Sequence, residues 1–267
     1  VAPTFTVTDN LAGTANRSTG SIAYTYQFSE AVTGLTASDF TMANGSITSI
    51  SGSGTTYTVT VAPTLDVASG TIDLTLQDGA VQDAAGNTNS ANTNNSQAID
   101  TLAPTGLTLD PIASDNTVNA AAKAAGFSIG GAVEAGTSVS VLWGNQTRTA
   151  TVSGSTWTLA YITNQIPADG AQLITVTATD AAGNTSQVTR TITVDTVAPT
   201  ATVSSLSFSN DSGTSTTDFI TNNPSQTISG VLSAATATGD VVEVSLNNGG
   251  NWTTASNTIG STAFSLA

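Results

Sequence analysis

The chain has 267 residues, a net charge of −14, and four basic residues against eighteen acidic ones. So few Lys and Arg side chains cannot neutralise phosphates, which excludes binding to nucleic acid or to anionic membranes. Cysteine and histidine are both absent, which excludes thiol nucleophiles, Ser–His triads and Cys- or His-ligated zinc sites. No apolar run is long enough to cross a membrane, so no membrane insertion is predicted.

The first hundred residues alternate apolar and polar side chains with a period of two. This pattern predicts antiparallel strands with one buried face. The alternating segments are "SIAYTYQF" (Ile22, Tyr24, Tyr26, Phe28), "TYTVTVAP" (Tyr57, Val59, Val61) and "TIDLTLQ" (Ile72, Leu74, Leu76). We predict an immunoglobulin-like β-sandwich over residues 1–102.

Residues 103–199 repeat this plan more clearly. Turn-forming phrases such as "EAGT", "SGS", "IPADG" and "AAGN" separate the strands. The strands place Val139, Val141, Trp143, Trp157, Leu159, Tyr161, Ile174, Val176, Ala178, Ile192 and Val194 on buried faces. About seven such strands in a hundred residues are typical of an immunoglobulin-like sandwich, which we predict over 103–199.

Residues 200–267 contain only the early part of such a pattern. The segments "QTISGVL" and "VVEVSLNNGGNW" match early and middle strands of the preceding stretch, and no closing strand follows. We predict a partial sandwich over 200–267 that lacks about its last two strands, which leaves an unpaired edge. The predicted fold class is therefore all-β, with tandem immunoglobulin-like sandwiches in an extended rod.

Two phrases recur at nearly the same interval. "DTLAPT" spans Asp100–Thr105 and "DTVAPT" spans Asp195–Thr200, while "DAAGN" spans Asp83–Asn87 and Asp180–Asn184. Repetition at this interval indicates tandem domains. Because proline fixes its own φ and disfavours helix before it, each "DT-x-APT" phrase predicts a short, extended linker.

The recurring phrases place carboxylates where one domain meets the next. The turn between the last two strands of a sandwich lies at the end where its own domain begins, so Asp180 is expected near Asp100. Asp110 and Asp115 are expected to approach the same junction. The candidates at the next junction are Asp195, Asp211 and Asp218, and Asp83 occupies the equivalent turn of the first domain.

Such a cluster favours a bound cation. Two carboxylates 5–6 Å apart repel by about 3 kcal/mol at an effective dielectric near 20. Ca²⁺ removes this repulsion by taking six to eight oxygen ligands, so we predict calcium as the bound metal. Three alternatives stay open: "DAAGN" as a turn without metal, "DT-x-APT" as a stiff spacer alone, and the loop acids as solvated side chains.

Several phrases resemble one known group of proteins. "FSEAVTGLTASDF", "VQDAAGN", "ATDAAGNTSQ" and "DT-x-APT" resemble the bacterial Ig-like repeats of giant surface adhesins, which include biofilm-associated proteins and RTX-type adhesins exported by type I secretion. The resemblance implies an extracellular, cell-surface location and extender rods with calcium at their junctions. It also implies that the partners are neighbouring repeats of the same long chain. Asp100, Asp180 and Asp195 are then the foremost ligand candidates, and no catalysis is implied.

Three other functions fit parts of the sequence. The chain is alternatively a module that binds glycan or ice, a filament subunit whose third sandwich is completed by a strand from another copy, or an accessory segment of an extracellular hydrolase. We expect Trp143, Trp157 and Trp252 in the core, which argues against a sugar-stacking surface.

Overall fold

The computed structural model describes residues 1–90, 92–112, 115–212, 214–237 and 239–267, and the side chains only outside 92–95. We call the predicted segments 1–102, 103–199 and 200–267 unit 1, unit 2 and unit 3; these boundaries stay a prediction. Each unit contains one cluster of buried apolar side chains. Among the described helices, none has the length and apolar character needed to cross a membrane.

Unit 1 consists of two antiparallel sheets, with strand orders β1-β2-β4 and β3-β5-β6. Its strands are β1 (Phe5–Asp9), β2 (Ile22–Val32), β3 (Phe40–Met42), β4 (Gly45–Pro63), β5 (Gly70–Leu76) and β6 (Asn92–Ile99). The predicted alternation is confirmed, because β2 buries Ile22, Tyr24, Tyr26 and Phe28 while their neighbours remain more exposed. These side chains pack against β4 and β5 residues in the core between the sheets.

Unit 2 has a five-stranded sheet, β10-β9-β13-β14-β7, and a three-stranded sheet, β11-β12-β8. Its strands are β7 (Thr117–Asn119), β8 (Phe127–Ala132), β9 (Ser138–Trp143), β10 (Gln146–Thr149), β11 (Thr151–Ser153), β12 (Thr156–Tyr161), β13 (Gly170–Thr179) and β14 (Thr185–Asp195). The predicted core residues are buried, and Trp143 meets Tyr161 edge-on with ring centroids 4.7 Å apart. A six-residue helix, α1 (Ala120–Ala125), follows β7, where the Asn119 side chain caps it by accepting from the amide of Ala122.

In unit 3, described strands form a four-stranded sheet, β15-β16-β20-β19, and a two-stranded sheet, β17-β18. They are β15 (Val203–Phe208), β16 (Ile228–Leu232), β17 (Glu243–Val244), β18 (Thr253–Thr254), β19 (Ser256–Asn257) and β20 (Ala263–Leu266). The order β16-β20-β19 repeats β8-β12-β11 of unit 2, and the pair β17-β18 repeats β9-β10. In unit 2, β9 also pairs with β13, whereas β17 has no second partner among the described strands of unit 3.

The prediction that Trp252 lies in the core is wrong. Its side chain is 60% exposed, whereas Trp143 and Trp157 are buried as predicted. Trp252 directly precedes β18, and β18 pairs only with the two residues of β17 among described strands. The buried core of unit 3 among the described residues is correspondingly small and consists of Leu232, Ala255 and Phe264.

Candidate functional site

Both "DAAGN" phrases form the same closed turn, between β13 and β14 in unit 2 and before β6 in unit 1. In unit 2, Asp180 Oδ1 accepts from the amide of Asn184 at 2.8 Å, and Asn184 Nδ2 donates to Asp180 Oδ2 at 2.8 Å. In unit 1, Asp83 accepts from the amide and side chain of Asn87 at 2.8 and 2.7 Å. A short aspartate reaches its own backbone in this way, so the turn is complete without a metal ion.

These hydrogen bonds also affect ionisation. The Asn87 side-chain amide, followed by the main-chain amides of the turn, lowers the pKa of the Asp83 carboxyl, and burial opposes the shift. A carboxylate that accepts several N–H donors is stabilised in its charged form. These donors therefore favour the charged form of Asp83, although only 7% of its surface is exposed.

The unit 2 turn docks on the end of unit 1. Asn184 Nδ2 donates to the main-chain oxygen of Asp100 at 3.0 Å and to its Oδ1 at 3.3 Å. Asn184 Oδ1 in turn accepts from the main-chain amide of Arg17 at 2.6 Å. Asp100 and Asp180 thus share one amide donor, so the structure brings these two predicted residues together.

A loop of unit 1 completes this contact. Asn16 Nδ2 donates to the carbonyl of Ala182 at 2.8 Å, while Asn16 Oδ1 accepts from the amides of Ser18 and Thr19 and so fixes the loop. The close approach requires a small residue at Gly183, since a Cβ there would lie 3.2 Å from Asn16 Nδ2 and its φ is +91°. Sequence reasoning missed the role of Asn16 and of Asn184.

Arg17 supplies a positive charge at the first junction. Its guanidinium forms an ion pair with Asp66 and donates to the carbonyl of Thr101 at 3.3 Å. Thr101 is fully buried and its hydroxyl donates to the carbonyl of Thr64 at 2.8 Å. The Arg17 guanidinium and the Thr101 hydroxyl therefore both hold the start of the linker against unit 1.

At the second junction, two carboxylates hold the linker. Asp195 Oδ1 accepts from the amide of Val197 at 3.1 Å, and Asp169 accepts from the amide of Thr196 at 2.9 Å and from its hydroxyl at 2.8 Å. The Thr196 main-chain amide, and then its hydroxyl, lower the pKa of the Asp169 carboxyl. Thr196 occupies the same place in its linker as Thr101. Its hydroxyl donates to the Asp169 carboxylate, whereas the Thr101 hydroxyl donates to the Thr64 carbonyl.

An open pocket of about 490 Å³ separates unit 2 from unit 3 at this junction. Three carboxylates line it, those of Asp115, Asp195 and Asp240, together with linker residues Thr196–Pro199. In the part of the chain that the structure describes, no hydrogen bond joins unit 2 to unit 3, and no three acidic side chains converge as a metal-ligand group. The pocket is therefore lined by three negative charges, and no hydrogen bond between described residues closes it.

The expectation that Asp110 and Asp115 approach the first junction is wrong. The chain after the linker runs the length of unit 2, and β7 pairs in parallel with the end of β14, so that Asn119 lies opposite Asp195. Asp115 therefore lies at the second junction. Asp110 is exposed, and its amide donates to the carbonyl of Gly130 at 2.9 Å, partway along the sheet.

Asp211 and Asp218 also differ from their expected position beside Asp195. Strand β15 runs away from the linker, with Phe208 opposite Ile228 at its far end, so residues after it lie away from the junction. Within their loop, Asp211 accepts from the amide of Phe219, and Asp218 accepts from the amide of Ile220, both at 3.1 Å. Neither lines the pocket beside Asp195, where Asp240 stands instead.

Family comparison agrees with this geometry. Residues 1–99 and residues 112–196 match two family models, each described as a bacterial Ig-like domain. Comparison with curated proteins gives no significant match.

Solved structures similar to this chain include two bacterial adhesins. One is a Ca²⁺-stabilized adhesin that helps an Antarctic bacterium reach out and bind ice, with 24% identity and a TM-score of 0.41. That match covers 100% of this chain, and this chain spans 66% of that structure. The other is a 1.5-MDa bacterial ice-binding adhesin, with 20% identity, a TM-score of 0.34, and coverage of 98% and 85% of the two chains.

Family membership rests on the two matched stretches, which contain both copies of the "DAAGN" turn and the Asn16–Arg17 loop that the second copy contacts. The sandwich topology and the tandem order of units 1 and 2 agree with the match. The chain therefore belongs to the bacterial Ig-like domain family.

Proposed function

We propose that this chain is a run of structural extender repeats from a bacterial cell-surface adhesin, stiffened by calcium at its unit junctions and used for attachment or biofilm formation. The observation that carries the proposal is the first junction. There, the Asn184 side chain and the Ala182 carbonyl of unit 2 bond directly to Asp100 and to a fixed loop of unit 1. Such a joint restricts bending between consecutive sandwiches, which is what a rod requires.

Calcium is the proposed cofactor because the junctions concentrate oxygen donors and negative charge. Asp100 and Asp180 meet at the first junction, and Asp115, Asp195 and Asp240 line the pocket at the second. Hard carboxylate and carbonyl oxygens fit Ca²⁺. When bound, the ion would offset the mutual repulsion of these carboxylates. Because the carboxylates at each junction come from consecutive units, the ion would join those two units.

The proposed location is extracellular, and the proposed partners are neighbouring repeats of the same long chain. Free Ca²⁺ outside cells reaches millimolar levels, which match the 10⁻⁴–10⁻³ M affinities typical of extracellular calcium modules. No catalytic step is proposed, because the acidic residues that lie together do so at the junctions between units.

Small-angle X-ray scattering tests this proposal on the full chain. We expect the maximum dimension to be larger and the particle more rigid in millimolar Ca²⁺ than in EDTA. Identical profiles in both buffers would remove calcium from the proposal and leave a proline-stiffened spacer. A Mg²⁺ buffer serves as the ionic control, since Mg²⁺ demands tighter octahedral geometry.

A second function, a filament subunit completed by another copy, is favoured by one feature of unit 3. An open apolar groove of about 400 Å³ lies beside the two-residue strand β17, and the Leu246 side chain that lines it is 75% exposed. A strand such as β17, which has one unpaired edge among the described strands and lies next to exposed apolar surface, is a template for added strands. Light scattering across a concentration series tests this, since a filament subunit grows in mass with concentration and an extender repeat stays monomeric.

A further inference from the structure

The two junctions of this chain are held in different ways. Three residues provide direct hydrogen bonds across the first junction, namely Asn16, Arg17 and Asn184. Across the second, no hydrogen bond is found between described residues, and carboxylates face an open pocket. The linker sequences are nearly identical, so the difference comes from the surfaces that meet there.

Asn184 is the centre of the first junction. Its side chain is only 2% exposed, and a buried amide is stabilised only when its hydrogen bonds are made. Its Nδ2 meets the two acidic residues Asp100 and Asp180, and its Oδ1 meets the amide of Arg17. Rotation of the amide by 180° would set its oxygen against two carboxylates and its N–H groups against a donor, so these contacts fix its orientation.

In this arrangement the protein's own donors offset the repulsion between carboxylates, which a bound metal ion would otherwise do. The amide donors of Asn184 lie between the two carboxylates and offset their repulsion. The Arg17 guanidinium adds a full positive charge nearby, where it pairs with Asp66 and donates to the Thr101 carbonyl. A hydrogen bond between an amide and a carboxylate does not depend on the free calcium concentration.

We propose that a latch centred on Asn184 holds the first junction closed without calcium, so that an ion beside Asp100 and Asp180 is not needed there and the calcium dependence proposed above is concentrated at the second junction. The second half of this inference rests on the proposed calcium function; the latch itself does not. The chain therefore has one joint that stays closed without calcium and one that responds to calcium.

The chain contains its own matched control. Asn87 makes the same bond within its turn as Asn184, to Asp83 Oδ2 at 2.7 Å, yet Asn87 is exposed and bonds to no other unit among described residues. Asn87→Ala and Asn184→Ala therefore remove the same turn contact, but only the second removes contacts between units.

The test measures each junction separately in the full chain. Cysteine is absent, so exposed positions accept spin labels at defined sites: Thr55→Cys with Ser155→Cys across the first junction, and Ser155→Cys with Ser205→Cys across the second. Pulsed electron–electron double resonance then gives the distribution of distances between the two spin labels in millimolar Ca²⁺ and in EDTA. We expect a narrow first-junction peak in both buffers, its loss in Asn184→Ala, and its retention in Asn87→Ala.

The outcomes distinguish the latch from the calcium function. A first-junction peak that broadens in EDTA, or that survives Asn184→Ala, would overturn the latch. If the second-junction peak is unchanged by EDTA while the first behaves as expected, the latch stands and the calcium function fails.

A second variant covers the case in which Asn184→Ala does not fold. Asn184→Asp keeps the size of the side chain but replaces its donor with a third negative charge beside Asp100 and Asp180. We expect its first-junction peak to be lost in EDTA and restored by Ca²⁺, which converts the latch into a calcium-dependent joint. Retention of the narrow peak in EDTA would also overturn the latch.

Discussion

The side-chain amide of Asn184 in unit 2 donates to both the carbonyl and the carboxylate of Asp100, 84 positions earlier at the end of unit 1. The same amide closes its own turn through Asp180. One side chain therefore connects the local fold of one sandwich to the terminus of another. Any change at Asn184 alters both, which makes the comparison with Asn87 necessary for interpreting its mutants.

Asn184→Ala is expected to lower the free energy of unfolding of the chain by about 1–3 kcal/mol, because it leaves the part-buried main-chain amide of Arg17 unpaired and removes a bond to a carboxylate. Asn87→Ala is expected to cost less, because water replaces its exposed bonds. Urea denaturation followed by circular dichroism measures both, because it reports the strands of both units. Equal losses would mean that the contact between units adds no stability.

Asp195→Asn and Asp240→Asn are expected to reduce the stabilisation that Ca²⁺ gives the chain. A ligand at ten times its Kd stabilises the folded state by about 1.4 kcal/mol, and loss of a carboxylate weakens binding. Asp110→Asn is the control, since Asp110 is exposed and lies away from both junctions. Calorimetry with and without Ca²⁺ gives the shift in Tm; an equal shift in all three variants would argue against a site in this pocket.

Thr196→Val is expected to raise the pKa of Asp169 toward its ordinary value, because it removes the hydroxyl donor and keeps the main-chain amide. In the native chain the folded pKa lies below the unfolded one. The stability from this contact is therefore complete above the unfolded pKa and is lost as the pH falls through the folded pKa. Carboxyl NMR titration measures the change, with the exposed Thr191→Val as control; an unchanged Asp169 pKa would remove the hydroxyl from this linker contact.

Burial, followed by the charges of Asp9 and Asp73, raises the pKa of Tyr24 to about 12. Because the folded pKa is raised, its contribution to stability is complete below the unfolded pKa and is lost as the pH rises through the folded pKa. Its hydroxyl has no hydrogen-bond partner among the described residues. Tyr24→Phe is therefore expected to leave neutral-pH stability unchanged or raise it by about 1 kcal/mol, and to move alkaline unfolding to higher pH.

Tyr57→Phe is the control for this prediction. The Tyr57 hydroxyl donates to the carbonyl of Val32 at 2.9 Å, so its removal is expected to lower stability by about 1 kcal/mol. Urea denaturation at neutral and alkaline pH measures both variants. A loss of stability in Tyr24→Phe as large as that in Tyr57→Phe would show that the Tyr24 hydroxyl also has a partner.

Gly131→Ala is expected to destabilise unit 2 by about 1–3 kcal/mol, a typical cost of forcing atoms into a packed site. A Cβ at this position would lie 2.2 Å from the carbonyl oxygen of Thr108, which belongs to the segment after the linker. Gly20→Ala is the control, because nothing lies within 4 Å of the added carbon there. Thermal unfolding compares the two, and equal Tm values would show that the segment after the linker moves aside at little cost.

The sequence by itself determined the strands and cores of units 1 and 2 and their tandem order, but not the core of unit 3, where Trp252 is exposed. Period-two alternation states directly which side chains face inward, as Trp143, Trp157, Ile174 and Val176 show, because successive strand residues point to opposite faces. The repeated phrases were also sufficient to place Asp180 near Asp100, since strand count alone decides at which end of a sandwich its last turn lies.

Only the tertiary structure decided which polar groups meet across the junctions. Asp115 lies with Asp195 because of a parallel strand pairing that no local pattern encodes, and Asp240 reaches the same pocket from a loop of unit 3. Arg17 and Asn184 are 167 positions apart. Hydrogen bonds are short and directional, so these contacts depend on how the surfaces of two folded units are placed relative to each other. Short-range sequence patterns predict the residues on each surface but not that placement.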